Sequence, residues 1–141
     1  MATSFVYKDA YLSVGGSDIS TYITSCTLTG EYEELDVTVM GDDTRNSVPG
    51  LGNWSIDVEV KQSWTSAELD AIIWPLLGSA SASAIILKPN GSTTGVNNPR
   101  WYGNGRIFSY QPMTGSVGDL AKTTFTIKPG DGTMIVRATS D

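Results

Sequence analysis

Residues 41–64 read GDDTRNSVPGLGNWSIDVEVKQSW, and this stretch decides the fold class. Its second half alternates strictly, with polar residues between the apolar Trp54, Ile56, Val58 and Val60. A period of two with one apolar face is typical of a strand in a half-buried sheet. The first half, up to Gly52, is polar, carries glycine and proline, and shows no periodicity. It predicts a long loop, a feature that is often functional in a compact domain.

The rest of the chain predicts a single β-rich domain over residues 1–141. A chain of 141 residues suits one domain of ordinary size. Further strand-like runs, separated by turn residues, lie at 10–14, 23–29, 35–40, 84–88, 100–110, 120–128 and 133–138. The last two runs flank Pro-Gly-Asp-Gly at 129–132, a sequence typical of a hairpin turn.

One helix is predicted at about 66–77. Thr65 and Glu68 have the spacing of a capping box. An apolar stripe then falls at helical spacing, formed by Leu69, Ile72, Ile73, Leu76 and Leu77. Pro75 should distort the last turn. The expected fold is a β-sandwich or barrel of two packed antiparallel sheets, with a flanking α-helix and a long inter-strand loop at about 33–52.

The residue types for catalysis and metal binding are scarce. The sequence has no histidine and one cysteine, Cys26, which reads as a small buried hydrophobe. Asp57 and Glu59 would stand about 7 Å apart on one strand face, as a glycosidase pair might, but nothing predicts a cleft around them. Asp42 and Asp43, with Asp36, miss the spacing of an EF-hand calcium loop. We therefore expect no catalytic residue, no cofactor and no metal.

The net charge of −6 argues against a protein that wraps nucleic acid. No apolar run has membrane-spanning length, and the first ten residues lack a signal-peptide pattern, so we expect a chain made in a cytosol without a membrane partner. Trp101 and Tyr102 with Phe108 and Tyr110 could form a stacking platform, although aromatic residues in strands more often belong to a core or an interface.

The order of these elements resembles the tail tube (major tail) proteins of long-tailed, non-contractile bacteriophages. The loop has a D-x-x-R-x-x-V-P-G segment that starts at Asp42, and the long strand leads directly into the one helix. The chain then ends in a strand pair with GDGTMIVRA at 130–138. The resemblance covers residues 11–138.

The resemblance implies hexameric rings that stack into a hollow tube, the conduit for DNA ejection. It implies a virion tail location after synthesis in the host cytoplasm, with the tape measure, terminator and distal tail proteins as partners. DNA would pass through the lumen without specific binding. The loop from Glu33 to Gly52 would reach the next ring and would be mobile beyond Met40 in the free subunit. Its candidate inter-ring residues are Asp42, Asp43, Arg45, Val48, Pro49 and Leu51.

A lumen that passes DNA should present acidic or neutral groups, because inward lysine or arginine would hold phosphates. The first candidates are Asp57 and Glu59, and the second are Glu31, Glu33 and Glu34. Two other functions stay open: a sandwich-type carbohydrate-binding module that uses Trp101, Tyr102 and the loop 90–99, and another virion part such as a tail terminator or capsid decoration protein. Oligomeric form separates them, because only a tube needs contacts that continue without limit.

Overall fold

The computed structural model describes Val6 and residues 8–140, and within them the chain forms eight strands and one short α-helix. The strands are β1 (Tyr11–Val14), β2 (Ser17–Asp18), β3 (Ile23–Asp36), β4 (Ser47–Lys61), β5 (Ser83–Lys88), β6 (Arg100–Tyr110), β7 (Lys122–Pro129) and β8 (Val136–Ala138). The helix α1 spans Leu69–Ile73, and 3₁₀ turns cover Ser20–Tyr22 and Trp74–Leu76.

The strands pair antiparallel in the order β2-β1-β5-β6-β7-β4-β3, with β8 beside β6. The sheet is not closed, and its two ends are β2 and β3. The core cluster joins side chains of β1 and β5 to side chains of β4 and β7, so the two halves of the sheet share one interior. This sandwich-like, all-β arrangement with a single short helix in the described residues confirms the predicted fold class.

The alternation predicted for β4 is confirmed. Trp54, Ile56, Val58 and Val60 are all at most 1% exposed, whereas the polar residues between them face away from the core. Strand β7 lies beside β4 and adds Phe125 and Ile127 to the same interior. Burial of these side chains is the main favourable term that holds the two halves of the sheet together.

The helix is shorter than predicted, and its start is different. The predicted capping box is wrong: the Thr65 carbonyl accepts the Glu68 N–H at 3.1 Å in a turn, and no side chain caps α1. Glu68 bonds instead to the Ser63 hydroxyl. Ala67 has φ 63, a left-handed conformation that no α-helix continues through. These two features delay the helix until Leu69.

The expected end and packing of the helix are confirmed. Pro75 lies in a 3₁₀ turn that replaces the last α-helical turn. Leu69 and Ile73 are fully buried, and Ile72, Leu76 and Leu77 pack against the core as partly buried side chains. The helix therefore supports its own sheet.

The predicted hairpin over residues 120–138 is wrong. On one side of β6, Gly105 pairs with Pro129 of β7 and Tyr102 pairs with Val136 of β8. On the other side of β6, the same Gly105 and Tyr102 pair with β5. Strands β7 and β8 thus follow one another along the same side of β6, and residues 130–135 form an excursion between them. The indole N–H of Trp54 donates to the Thr133 carbonyl at 3.1 Å and holds this excursion against the core.

Candidate assembly surfaces

Half of the segment predicted as a loop at about 33–52 is strand. Strands β3 and β4 pair continuously from the core out to Asp36 and Ser47, so only residues 37–46 connect them. Strand β7 pairs with β4 only from Ile56 to Lys61. Residues 30–53 therefore form a two-stranded hairpin that extends past the neighbouring strand, and we call it the arm.

The strands of the arm leave only a weak pattern in the sequence, because no described residue buries either face: residues 35–39 alternate, but residues 47–53 do not. Leu35 pairs with Val48, yet these side chains are 44% and 42% exposed. Without a buried face there is no selection for a period of two. Pro49 is tolerated because an edge strand can leave one N–H unpaired, and a register shift near Tyr32 also interrupts the pattern.

Local hydrogen bonds define the tip of the arm. The Val37 N–H donates to the Asn46 carbonyl at 2.8 Å, and the Asn46 N–H donates to the Thr38 hydroxyl at 2.7 Å. The Asp42 carboxylate accepts the Val39 N–H at 3.0 Å. Side-chain to backbone bonds of this kind fix turns. The tip thus has a hydrogen-bonded conformation in the single chain and is not the structureless loop expected from sequence. Its mobility beyond Met40 in the free subunit stays a prediction.

The predicted inter-ring residues all lie on the arm. Arg45 is 3.5 Å from the Asp36 carboxylate in an exposed ion pair, and bonds from Thr38 lower the pKa of Asp36. Asp42 is used in the tip turn, and Asp43 is exposed. The arm also carries exposed large apolar side chains. Two of them, Val48 and Leu51, were predicted site residues, and five were not: Tyr32, Leu35, Val37, Val39 and Met40. The alternation of Leu35, Val37 and Val39 with Asp36 and Thr38 was the sequence signal that could have identified these three residues.

A flat polar face lies on the outer side of β3, β4 and β7. Asp57 stands between Thr27 and Thr126, and the Thr126 hydroxyl donates to its carboxylate at 2.8 Å. Glu59 stands between Ser25 and Thr124. The middle of this face therefore carries two carboxylates among short hydroxyl side chains. The two carboxylates line neither of the two principal clefts, which removes the support for a glycosidase pair.

The acidic cluster of β3 divides between two faces. Side chains of successive strand residues alternate, which puts Glu31 and Glu33 on the face of Asp57. Glu34 lies on the opposite face, where it accepts a hydrogen bond from Ser47 at 3.0 Å. Four of the five predicted lumen residues thus share one face.

The two ends of the polar face are basic. Lys61 pairs directly with Lys122, and Arg106 pairs with Lys128. The sequence had indicated only Lys61, because the partners on β6 and β7 depend on strand order. The face is therefore acidic in its middle and towards the arm, with lysine and arginine at its margins.

An open cleft of about 1080 Å³ lies between the free edge of β3 and the strands β1 and β5. Cys26 and Leu28 line one side, and Leu87 and Trp101 line the other. Burial, with a smaller effect of Asp57, raises the pKa of the Cys26 thiol to about 11. The thiol is therefore neutral near pH 7, as expected for a small hydrophobe and not for a nucleophile.

The aromatic residues do not form a common stacking platform. Trp101 and Tyr102 are consecutive in β6 and so lie on opposite faces. The Arg137 guanidinium lies 6.0 Å from the Trp101 ring, and that of Arg100 lies 4.6 Å from the Tyr102 ring. Tyr110 is buried in an edge-to-face contact with Phe125. This arrangement leaves little support for a sugar-binding surface.

Two further findings concern the part of the chain that the structure describes. No helix there is long and apolar enough to cross a membrane. No group of three or more histidine, cysteine, aspartate or glutamate side chains is placed to hold a metal ion.

The comparisons with known proteins agree on the fold. No family model and no curated protein sequence matches the chain. A chain from the virion of a native gene transfer agent particle superposes with a TM-score of 0.75 at 13% identity, over 96% of this chain and 99% of that one. A chain from the sheath/tube terminator structure of an extracellular contractile injection system, in the extended state, superposes with a TM-score of 0.70 at 16% identity. The match covers 96% of this chain and 97% of that one.

A third solved structure is the tail of an empty gene transfer agent particle, computed with helical refinement and C6 symmetry. It gives a TM-score of 0.67 at 14% identity, over 99% of this chain and 100% of that one. At these identities the likeness concerns the fold alone. The chain shares its fold with components of gene transfer agent particles and of a contractile injection system.

Proposed function

We propose that this chain is a structural protein of a phage-type tail, in which it polymerises as stacked hexameric rings into the tail tube through which DNA is ejected. The observation that carries the proposal is the arm, whose large apolar side chains are between 40% and 102% exposed among the described residues. A contiguous exposed apolar surface marks an interaction site in a soluble protein. The shared fold with tail and terminator chains supports the same conclusion.

The free sheet ends support lateral assembly. Among the described residues, β3 pairs only with β4 and β2 only with β1, so both ends of the sheet present backbone groups that another copy could pair with. Pairing of β3 with a neighbouring copy would also cover the cleft beside Cys26. Contacts that join different surfaces of identical copies generate rings when the rotation closes.

The polar face fits the surface of a DNA conduit. Its central side chains are short hydroxyls with Asp57 and Glu59, and Glu31 and Glu33 continue the acidic character towards the arm. Carboxylates repel phosphates, and hydroxyls give no persistent ionic contact. A bore formed by the middle of this face would let DNA pass without specific binding, provided that the basic margins at Lys61, Lys122, Arg106 and Lys128 are turned from the lumen or paired with a neighbouring copy. The tape measure, terminator and distal tail proteins are then the expected partners, in a virion tail made from subunits synthesised in the host cytoplasm.

A tail terminator is the second candidate, because one similar structure is a sheath/tube terminator. That structure belongs to a contractile system, so the fold does not restrict the proposal to non-contractile tails. The candidates differ in oligomeric form. A terminator closes as one ring, whereas a tube protein keeps adding layers.

Electron microscopy of the concentrated protein tests the proposal. We expect long hollow filaments with six-fold rings in negative stain. The matched control replaces residues 37–46 by Asn-Gly, which joins Asp36 to Ser47 through a short hairpin turn. This variant should keep the unfolding temperature of the parent yet form no filaments. Single rings from the parent would favour the terminator, and monomers at every concentration would refute assembly.

A further inference from the structure

A second exposed apolar surface lies at the end of β4 opposite the arm. We call it the far end, and it consists of Trp64, Met113, Val117 and Leu120. Trp64 is 55% exposed, and the three loop side chains are between 63% and 107% exposed. The 15 residues of β4 separate this surface from the base of the tip by roughly 45–50 Å.

The far end is held rigidly despite its loop composition. The Gln62 side-chain amide donates to the Tyr110 hydroxyl and to the Pro112 carbonyl, both at 2.7 Å. The Tyr110 hydroxyl donates to Asp70 of α1 at 2.9 Å, and the Gln62 N–H donates to the Ala121 carbonyl at 3.0 Å. These bonds connect the loop 111–121, the end of β4 and the helix, so the apolar side chains stand on a fixed support.

The arm is strongly acidic, whereas the far end carries a pair of lysines together with carboxylates. The arm has six carboxylates, of Glu31, Glu33, Glu34, Asp36, Asp42 and Asp43, against the one cation of Arg45. At the far end Lys61 and Lys122 pair directly across two strands, an arrangement that costs stability within one chain. Three carboxylates lie close by and accept hydrogen bonds from neutral donors: Glu68 from Ser63, Asp70 from Tyr110 and Asp119 from Ser116. The lysine pair is therefore a local cationic site in an end of mixed charge.

We propose that the far end is the receptor for the arm of the next copy. Val39, Met40 and Leu51 of one arm would cover Val117, Leu120 and Trp64 of the neighbour, while Asp42 and Asp43 meet Lys61 and Lys122. The two surfaces lie at opposite ends of one strand, so copies related by translation along β4 repeat the contact indefinitely. This inference rests on the proposed function and identifies the surface by which one layer recognises the next.

Two assembly-deficient variants test the contact. The receptor variant carries Val117→Asp and Leu120→Asp, and the arm variant carries Val39→Asp and Met40→Asp. All four positions are exposed, so both variants should keep the parent's unfolding temperature. Each alone should need a more than about tenfold higher concentration to form filaments. Mixed, they should associate, because one supplies an intact arm and the other an intact far end.

Two controls separate this contact from a general loss of solubility or charge. Val96→Asp changes an equally exposed apolar residue in another loop and should leave assembly unchanged. Lys61→Glu with Lys122→Glu should weaken assembly, and Asp42→Lys with Asp43→Lys in the mixing partner should restore it. Lys128→Glu, a single charge reversal at the other end of β7, should have less effect than the same single reversal Lys122→Glu.

The outcomes distinguish the inference from the proposed function. If the receptor variant forms filaments at the parent's concentration, the far end is not the receptor, although the tube function stands. If both variants lose filaments but do not associate when mixed, the arm and the far end have different partners and the inference is wrong. If the parent itself never assembles, both proposals are wrong.

Discussion

The two halves of β4 belong to one strand but depend on different interactions. Residues 54–61 have β3 on one side and, from Ile56, β7 on the other, and one of their faces is buried. Residues 47–53 have only β3, and apart from Gly50 they are exposed. The outer half is held by backbone pairing and the tip bonds, so its apolar side chains contribute little to the fold. Such side chains are available to another chain.

The two halves of β4 should differ most in how much stability they lose when a valine is replaced by aspartate. Val58→Asp places an unpaired carboxylate in the core and should lower the free energy of unfolding by about 3–5 kcal/mol. Val48→Asp, at a side chain that is 42% exposed, should change it by less than about 0.5 kcal/mol. Urea denaturation followed by tryptophan fluorescence measures both. A similar loss in the two variants would show that the arm is part of the cooperative core.

Glycine-to-alanine substitutions give a second, smaller contrast. At Gly105 a Cβ would lie 2.6 Å from Ile127 and 3.1 Å from the Trp54 ring, both buried, so Gly105→Ala should cost about 1–3 kcal/mol. At Gly52 the nearest atom, at 2.7 Å, belongs to the ring of Tyr32, which is 57% exposed and can rotate away. We expect Gly52→Ala to be nearly neutral in thermal unfolding. A large loss at Gly52 would mean that Tyr32 is locked in place.

This contrast explains what the sequence could reveal. The inner half of β4, the strand at Arg100–Tyr110 and the distortion at Pro75 were predictable, because burial of one face or ring geometry leaves a local pattern. The arm strands were predictable only in part, since the alternation at 35–39 indicates a strand but the exposed residues 47–53 show no period of two. The order of β7 and β8 beside β6 was also hidden, because an Asp-Gly turn does not specify which strand the following residues join.

The candidate surfaces were predictable to a similar, partial extent. The polar face around Asp57 and Glu59 follows from alternation alone. The split between Glu33 and Glu34 follows once these residues are known to lie in a strand, which the sequence did not indicate. The lysine pair of Lys61 with Lys122 requires the register between strands, which no local pattern contains. The far end was missed because its loop residues have no period and its support runs through a buried network.

The hydrogen bonds that support the far end should weaken at alkaline pH, whereas those of the arm should not. Burial raises the pKa of Tyr110 to about 12, against 10.0 for an unperturbed tyrosine. The folded chain therefore keeps the proton after the unfolded chain has lost it, and stability that is complete below pH 10 falls as pH rises towards 12. Tyr110→Phe should start about 1 kcal/mol less stable, through lost hydrogen bonds, but show a flatter decline. Parallel pH slopes for the two proteins would exclude Tyr110 as the cause.

Substitutions on the polar face should have the smallest effect on the stability of the isolated chain. Asp57→Lys with Glu59→Lys removes the Thr126 bond at an exposed position, so the free energy of unfolding should change by less than about 1 kcal/mol. Assembly should persist, because neither residue belongs to the arm or the far end. If the face lines the bore, the added lysines would hold phosphates, and virions that carry the variant should eject DNA more slowly, most clearly at low salt.

The matched control for this variant is Asp57→Asn with Glu59→Gln, which removes the carboxylates without adding cations. It should eject at nearly the normal rate, because neutral amides do not bind phosphates as lysine does. Normal ejection from the lysine variant would place the face on the outside of the tube, where charged side chains are simply solvated. Slow ejection from both variants would instead indicate altered packing. The proposal that the charge of the bore lets DNA pass is supported only if the lysine variant ejects DNA slowly while the amide variant ejects it at the normal rate.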